Sequence, residues 1–124
     1  MKTLGEFYKE KVLVCSDLAD REFPDYKGEG KVERDLFGWK LYSGKNFIEC
    51  RSQEEARYLK VFFDSGMDIV AVPGDNNYLK TILPELEKLK KDIDEIISIY
   101  ADGVLNRKLK ARLKREVYQE LLNY

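Results

Sequence analysis

Residues 37–52 read FGWKLYSGKNFIECRS, a stretch that accepts few conformations other than a β-hairpin. Gly44-Lys45 supplies a two-residue turn with glycine first, where a type II′ turn needs positive φ. That turn sets the register. Leu41 faces Ile48 and Trp39 faces Cys50 on one side, while Tyr42 faces Phe47, Lys40 faces Glu49 and Gly38 faces Arg51 on the other. The first side is apolar and the second mixed, the division expected of a hairpin that covers a core. Trp39 is expected to point inward and Lys40–Glu49 to form a cross-strand ion pair.

The hairpin limits the elements that can come after it. Ser52 with Glu55 has capping-box spacing, Ala56, Leu59, Phe62 and Phe63 form an inner stripe, and Gly66 stands at the C′ stop position. DIVAVPG then reads as a short buried strand. A strand–helix–strand unit crosses over right-handedly, so this strand is expected parallel to the hairpin in one sheet, giving ββαβ. Upstream, Thr3 and Glu6 open a helix whose apolar positions, Leu4 through Ala19, recur at helical intervals. The run VLVC leaves a strand possible there. DYKGEGKVERD reads as a loop.

From residue 77 onward the pattern is helical. Ile82, Leu86, Leu89, Ile93, Ile96 and Tyr100 step by 4 and 3 in alternation, a heptad seam of the coiled-coil kind. Pro84 predicts a kink or a fresh helix start. ADGVLN breaks the helix, and Leu105, Leu109, Leu113, Val117 and Leu121 mark a second one, so a helical hairpin is expected. The whole is an α+β fold: a small ββαβ unit with an N-terminal helix (residues 1–76) and a C-terminal helical hairpin (77–124) packed on it as one domain.

Composition excludes several chemistries. The chain has no histidine, so a Ser-His-Asp or Cys-His nucleophile and a histidine-containing zinc site are ruled out. Its two cysteines, Cys15 and Cys50, lie far apart among apolar neighbours and read as buried free thiols. No apolar run approaches the roughly 18 residues of a membrane span, and MKTLGEFYKEK has no signal-peptide hydrophobic region. A cytoplasmic protein without metal or other cofactor is the expectation. VPGDNN suggests a phosphate or metal site, but the same residues are what a turn into a helix capped by Asp75, Asn76 or Asn77 requires.

Asp35, followed on the hairpin by Glu49-Cys50-Arg51, resembles the core of the PD-(D/E)XK nuclease superfamily. The resemblance covers roughly residues 33–73. It implies Asp35 and Glu49 as ligands of a divalent metal on adjacent strands, with Arg51 in the place of the family's lysine. The chain departs from that pattern in two ways: arginine stays protonated and is a poor base, and no proline precedes Asp35.

Charge is uneven along the chain. The total is −1, yet residues 101–124 carry six positive and three negative charges, +3. Arg107, Lys108, Lys110, Arg112, Lys114 and Arg115 sit within NRKLKARLKR without an acid among them. Such a run is ordinarily a solvated helix face, and part of it is expected to answer Glu87, Asp94 and Glu95. If all six charges met duplex phosphates, binding would depend on salt with a log–log slope of roughly −5.

Three functions are compatible with these features, in order of preference. The first is a non-enzymatic interaction module that self-associates or binds a protein partner through the Ile82, Leu86, Leu89, Ile93, Ile96 and Tyr100 seam. The second is a nucleic-acid-binding domain using the 107–115 block, with Tyr42 and Phe47 as stacking surfaces. The third is the metal-dependent nuclease with Asp35, Glu49 and Arg51.

Overall fold

The hairpin forms in the expected register. In the computed structural model, which describes residues 2–101, β3 (Gly38–Ser43) pairs with β4 (Asn46–Cys50), setting Leu41 against Ile48 and Tyr42 against Phe47. Gly44 has φ +61, as its turn position demands. Strand β4 ends at Cys50, so Arg51 lies beyond the ladder. A further strand, β2 (Lys31–Asp35), pairs with the outer side of β3 and makes a three-stranded antiparallel sheet. Local pattern predicts a loop there, because KVERD is poor in strand formers. Val32 alone faces the core, opposite Leu41, and pairing with β3 overrides local preference.

The N-terminal helix is shorter than its spacing suggests. Helix α1 (Leu4–Phe7) is capped by Thr3, whose hydroxyl accepts from the Glu6 amide, and passes into a π-helical turn at Tyr8–Val12. Leu18 and Ala19, expected on a helix face, belong instead to β1 (Leu18–Glu22). Strand β1 pairs antiparallel with β5 (Ile69–Pro73) in a separate two-stranded sheet. The expected parallel pairing of β5 with the hairpin therefore does not occur.

Two tyrosines supply the physical reason. The Ala71 amide donates to the Tyr8 hydroxyl at 2.8 Å, and the Tyr58 hydroxyl donates to the Ala71 carbonyl at 2.6 Å. Both polar groups at this position of β5 are thus satisfied by side chains rather than by another strand. Burial pushes the Tyr58 phenol far up, so it remains a donor.

Helix α2 (Gln53–Asp64) matches its sequence signals. Ser52 accepts from the Glu55 amide at 3.1 Å, and Ala56, Leu59, Phe62 and Phe63 are buried. At the other end Gly66 (φ +98) donates to Phe63 and Met67 donates to Phe62, the double bond of a Schellman stop. The helix packs across both sheets and against α3 (Asn76–Ala101).

Asp75 caps α3, its carboxylate accepting from the Asn77 amide at 2.9 Å. The helix runs without interruption through Pro84, so no fresh start occurs there. Pro84 is exposed, and water can reach the Lys80 carbonyl that loses its helical donor. Leu79, Ile82, Leu83, Leu86, Leu89, Ile93 and Ile97 are buried. No helix among the described residues is long and apolar enough to cross a membrane. The second arm of the expected helical hairpin, the side chain of Tyr100 and the 107–115 block lie outside the described residues.

Candidate interaction surface

Strand alternation sorts the three-stranded sheet into two faces. Val32, Leu41 and Ile48 turn to the core, while Lys31, Glu33, Asp35, Lys40, Tyr42, Phe47 and Glu49 share the outer face. One residue breaks the usual rule for such a face: Lys40 is only 8% exposed. Its Nζ donates to the Asp35 carboxylate and stands 4.9 Å from the Phe47 ring centroid and 5.6 Å from that of Phe37. Two aromatic faces thus flank an ammonium already held by a carboxylate, and each ring attracts the cation. The expected Lys40–Glu49 pair is replaced by Lys40–Asp35, although Glu49 remains opposite Lys40 in register.

Asp35 does two things at once. One oxygen takes Lys40, while the other accepts from the Phe37 amide at 2.8 Å and folds the reversal between β2 and β3. These bonds favour the ionised form. The Lys40 hydrogen bond, then the Phe37 amide, holds the Asp35 carboxyl below its usual range, and Asp35 raises Lys40 above the usual lysine value.

The tip held by Asp35 is the most unusual part of the surface. Leu36 is 98% exposed and Phe37 86%, at the two positions that reverse the chain. Turn positions ordinarily carry Gly, Asn, Asp or Ser, whose backbones or side chains suit the reversal. Phe47, 47% exposed and 5.3 Å from Tyr42 between ring centroids, extends the apolar area onto the sheet. Sequence reasoning misses Leu36 and Phe37 because the polar loop pattern ends at Asp35. The signal is present as Asp-x-x-Gly, a turn pattern enclosing two large apolar residues.

Trp39, expected inward, is half-buried on the core-facing side, with the Arg34 guanidinium 5.8 Å from its ring centroid.

The nuclease-like residues are placed otherwise than the resemblance implies. Asp35 on β2 and Glu49 on β4 lie on strands separated by β3, not on adjacent ones. Arg51 donates to the Gly74 and Pro73 carbonyls at 2.8 and 2.6 Å and contacts Glu55 at 3.1 Å. Glu55 is buried and also takes Arg21 at 2.7 Å, while the second Arg21 nitrogen reaches the Glu49 carbonyl at 2.6 Å. One carboxylate and two guanidiniums therefore tie together β1, β4, α2 and the end of β5. Among the described residues, no group of three or more Cys, Asp and Glu side chains is arranged to hold a metal ion.

The α3 seam divides. Ile82, Leu86, Leu89 and Ile93 are buried in the hydrophobic core, whereas Ile96 remains 39% exposed and Ile97 is buried in its place. A straight helix advances 3.6 residues per turn and drifts about 20° per heptad from a 3.5 repeat. The buried stripe accordingly steps from Ile93 to Ile97, not to Ile96.

Burial pushes the Cys50 thiol up to about 11, in keeping with an unreactive, half-buried side chain. Comparison of the chain with protein-family models, with curated proteins and with solved structures finds no match.

Proposed function

We propose that the protein is a non-enzymatic interaction module that associates with a second copy of itself through the Leu36–Phe37 tip and the neighbouring β2 edge. The observation that carries this reading is the pair of large apolar side chains presented to water at a turn. A turn there needs neither residue, so their cost is offset only when a partner covers them. The tip adjoins β2, an outer strand of its sheet, whose other side pairs with no strand among the described residues and is a ready template for another. Antiparallel pairing of β2 with its copy about Glu33 sets Lys31 opposite Asp35 twice, against one Glu33–Glu33 contact. The outer face and its turn carry Lys31, Lys40 and Lys45 against Glu33, Asp35 and Glu49. Balanced charge suits a like surface better than a polyanion.

The magnitudes point to a modest complex. Burying Leu36 and Phe37 contributes about 1.5–3 kcal/mol each, so a twofold contact gains about 6–12 kcal/mol gross. Association costs about 4–15 kcal/mol in lost freedom; the largest gain against the smallest cost nets about 8 kcal/mol, a dissociation constant of roughly 1 μM, and smaller margins run through about 1 mM and beyond. Light scattering across that concentration range is the test. The mass should rise toward two chains for the native protein and stay at one for Leu36→Asn/Phe37→Asn, which keeps turn-compatible residues. A mass fixed at one chain throughout, or a double variant that dimerises as well as the parent, overturns the proposal.

A further inference from the structure

The two-residue reversal at Leu36–Phe37 fixes which backbone groups of β2 are free. Asp35 and Gly38 close it as a directly opposed pair, the position at which a tight hairpin exchanges hydrogen bonds. Bonded and non-bonded pairs alternate along an antiparallel ladder, so Lys31 and Glu33 also turn their N–H and C=O groups toward β3. Val32 and Arg34 turn theirs the other way, to the side that pairs with no strand among the described residues. Gly30 follows the same alternation, and its amide donates away from β3, to the Asp64 carboxylate at 2.8 Å. Within β2, the edge therefore offers a partner the N–H and C=O groups of Val32 and Arg34.

These groups select one antiparallel register for a second copy. All of them are used on both chains when Val32 opposes Arg34 of the second copy, which places the twofold axis at Glu33. An axis one residue toward the N-terminus sets Arg34 against Gly30, whose amide Asp64 already holds. An axis one residue toward the tip sets Arg34 against Arg34 and Glu33 against Asp35, like charges in each case. With the axis at Glu33, each Leu36–Phe37 tip lies beside the Lys31 end of the other copy. Glu33 then faces Glu33 at a non-hydrogen-bonded position, where opposed Cα atoms approach to about 4.5 Å. Lys31, which contacts the Glu33 carboxylate at 3.1 Å within one chain, stands opposite Asp35 of the second copy. Lys40, opposite Glu33 on β3, is bound to Asp35. Two carboxylates thus oppose each other at the closest approach of the two strands.

We infer that Glu33 sets the strength and the partner preference of this edge. The inference rests on the self-association proposed above and adds its register. Backbone hydrogen bonds and the two tips hold the copies together, while the paired Glu33 charges weaken the contact at its centre. The edge accordingly prefers a strand with a cation at the central position over its own copy. A chain carrying Glu33→Lys is such a strand, and it differs from the native one at a single exposed side chain.

Sedimentation equilibrium on the native chain, Glu33→Gln, Glu33→Lys and an equimolar mixture of native and Glu33→Lys chains tests this. Glu33→Gln should tighten association about two- to fivefold by removing the like-charge contact. The mixture, which trades repulsion for attraction, should be tighter than either component by about three- to thirtyfold. Hydrogen exchange reads the register. Raising the concentration of the native chain should protect the Val32 and Arg34 amides and leave that of Glu33, already bonded to β3, unchanged. A native dimer that Leu36→Asn/Phe37→Asn abolishes, with a mixture no tighter than its components, overturns the inference while the tip contact stands. A dimer that protects neither Val32 nor Arg34 does the same. A mass of one chain in every sample, the mixture included, overturns both.

Discussion

Removing the two tyrosine hydroxyls that hold Ala71 should have different consequences for its two polar groups. Tyr58 is fully buried and donates to the Ala71 carbonyl at 2.6 Å; Tyr8, 5% exposed, accepts from the Ala71 amide at 2.8 Å. A net hydrogen bond contributes about 0.5–1.5 kcal/mol, and a buried group left unpaired costs about 1–3 kcal/mol. Tyr58→Phe should therefore lose about 1–2 kcal/mol, as should Tyr8→Phe, with both rings and their packing retained. The two bonds meet on one residue, so the double variant should depart from additivity by about 0.5 kcal/mol or more. Urea unfolding at constant m gives the energies, and hydrogen exchange separates the mechanisms. The Ala71 amide should lose protection in Tyr8→Phe beyond the change in global stability, and should track global stability alone in Tyr58→Phe. A Tyr58→Phe variant within about 0.5 kcal/mol of the parent, or an Ala71 amide equally protected in both, would refute the idea that these hydroxyls stand in for a neighbouring strand.

The same geometry yields three other outcomes. Glu55→Gln takes the charge from a buried carboxylate shared by Arg21 and Arg51; because both guanidiniums also reach water, the loss should be about 1–3 kcal/mol by urea titration, below the roughly 3–5 kcal/mol of a fully buried pair. For Asp35, whose folded pKa lies below its ordinary 3.8, the stabilisation is complete above that value and disappears as pH falls through the folded pKa, so the gap between parent and Asp35→Asn at about pH 6 should narrow by about pH 2.5. A gap of constant size would contradict the Lys40 pairing. Cys50, pushed up to about 11 by burial, should resist a thiol reagent at about pH 8 in a Cys15→Ser background until the chain is unfolded; modification at the rate of a free thiol would show that it is accessible and ionised.

Local chemistry made parts of the fold readable. The Gly44-Lys45 turn with alternating neighbours dictated the β3–β4 register, and Ser52 and Gly66 bracketed α2, since each signal depends on residues within a few positions. What escaped depends on distant partners. Leu18 and Ala19 continue the helical spacing of the N-terminus but are claimed by β5, more than fifty residues away. KVERD has one apolar residue, Val32, and becomes a strand because β3 offers a ladder. The parallel crossover does not form, and Tyr8 and Tyr58 take the two polar groups of Ala71 on β5 instead; no spacing rule encodes a hydroxyl reaching across the core. Four positions of the α3 seam, Ile82, Leu86, Leu89 and Ile93, lie in the core, and Ile96 departs from that buried stripe by the difference between a 3.5 and a 3.6 period. Leu36 and Phe37 carried a turn signature but acquire meaning only from their exposure.

Self-association through the tip is tested most directly by isotope-filtered nuclear Overhauser spectroscopy on a mixture of carbon-13-labelled and unlabelled chains at millimolar concentration. Magnetisation should pass between the Phe37 ring of one chain and the Leu36 or β2 protons of the other. Intermolecular transfer confined to Ile96 and Ile99, or none at all at Phe37, would contradict the account.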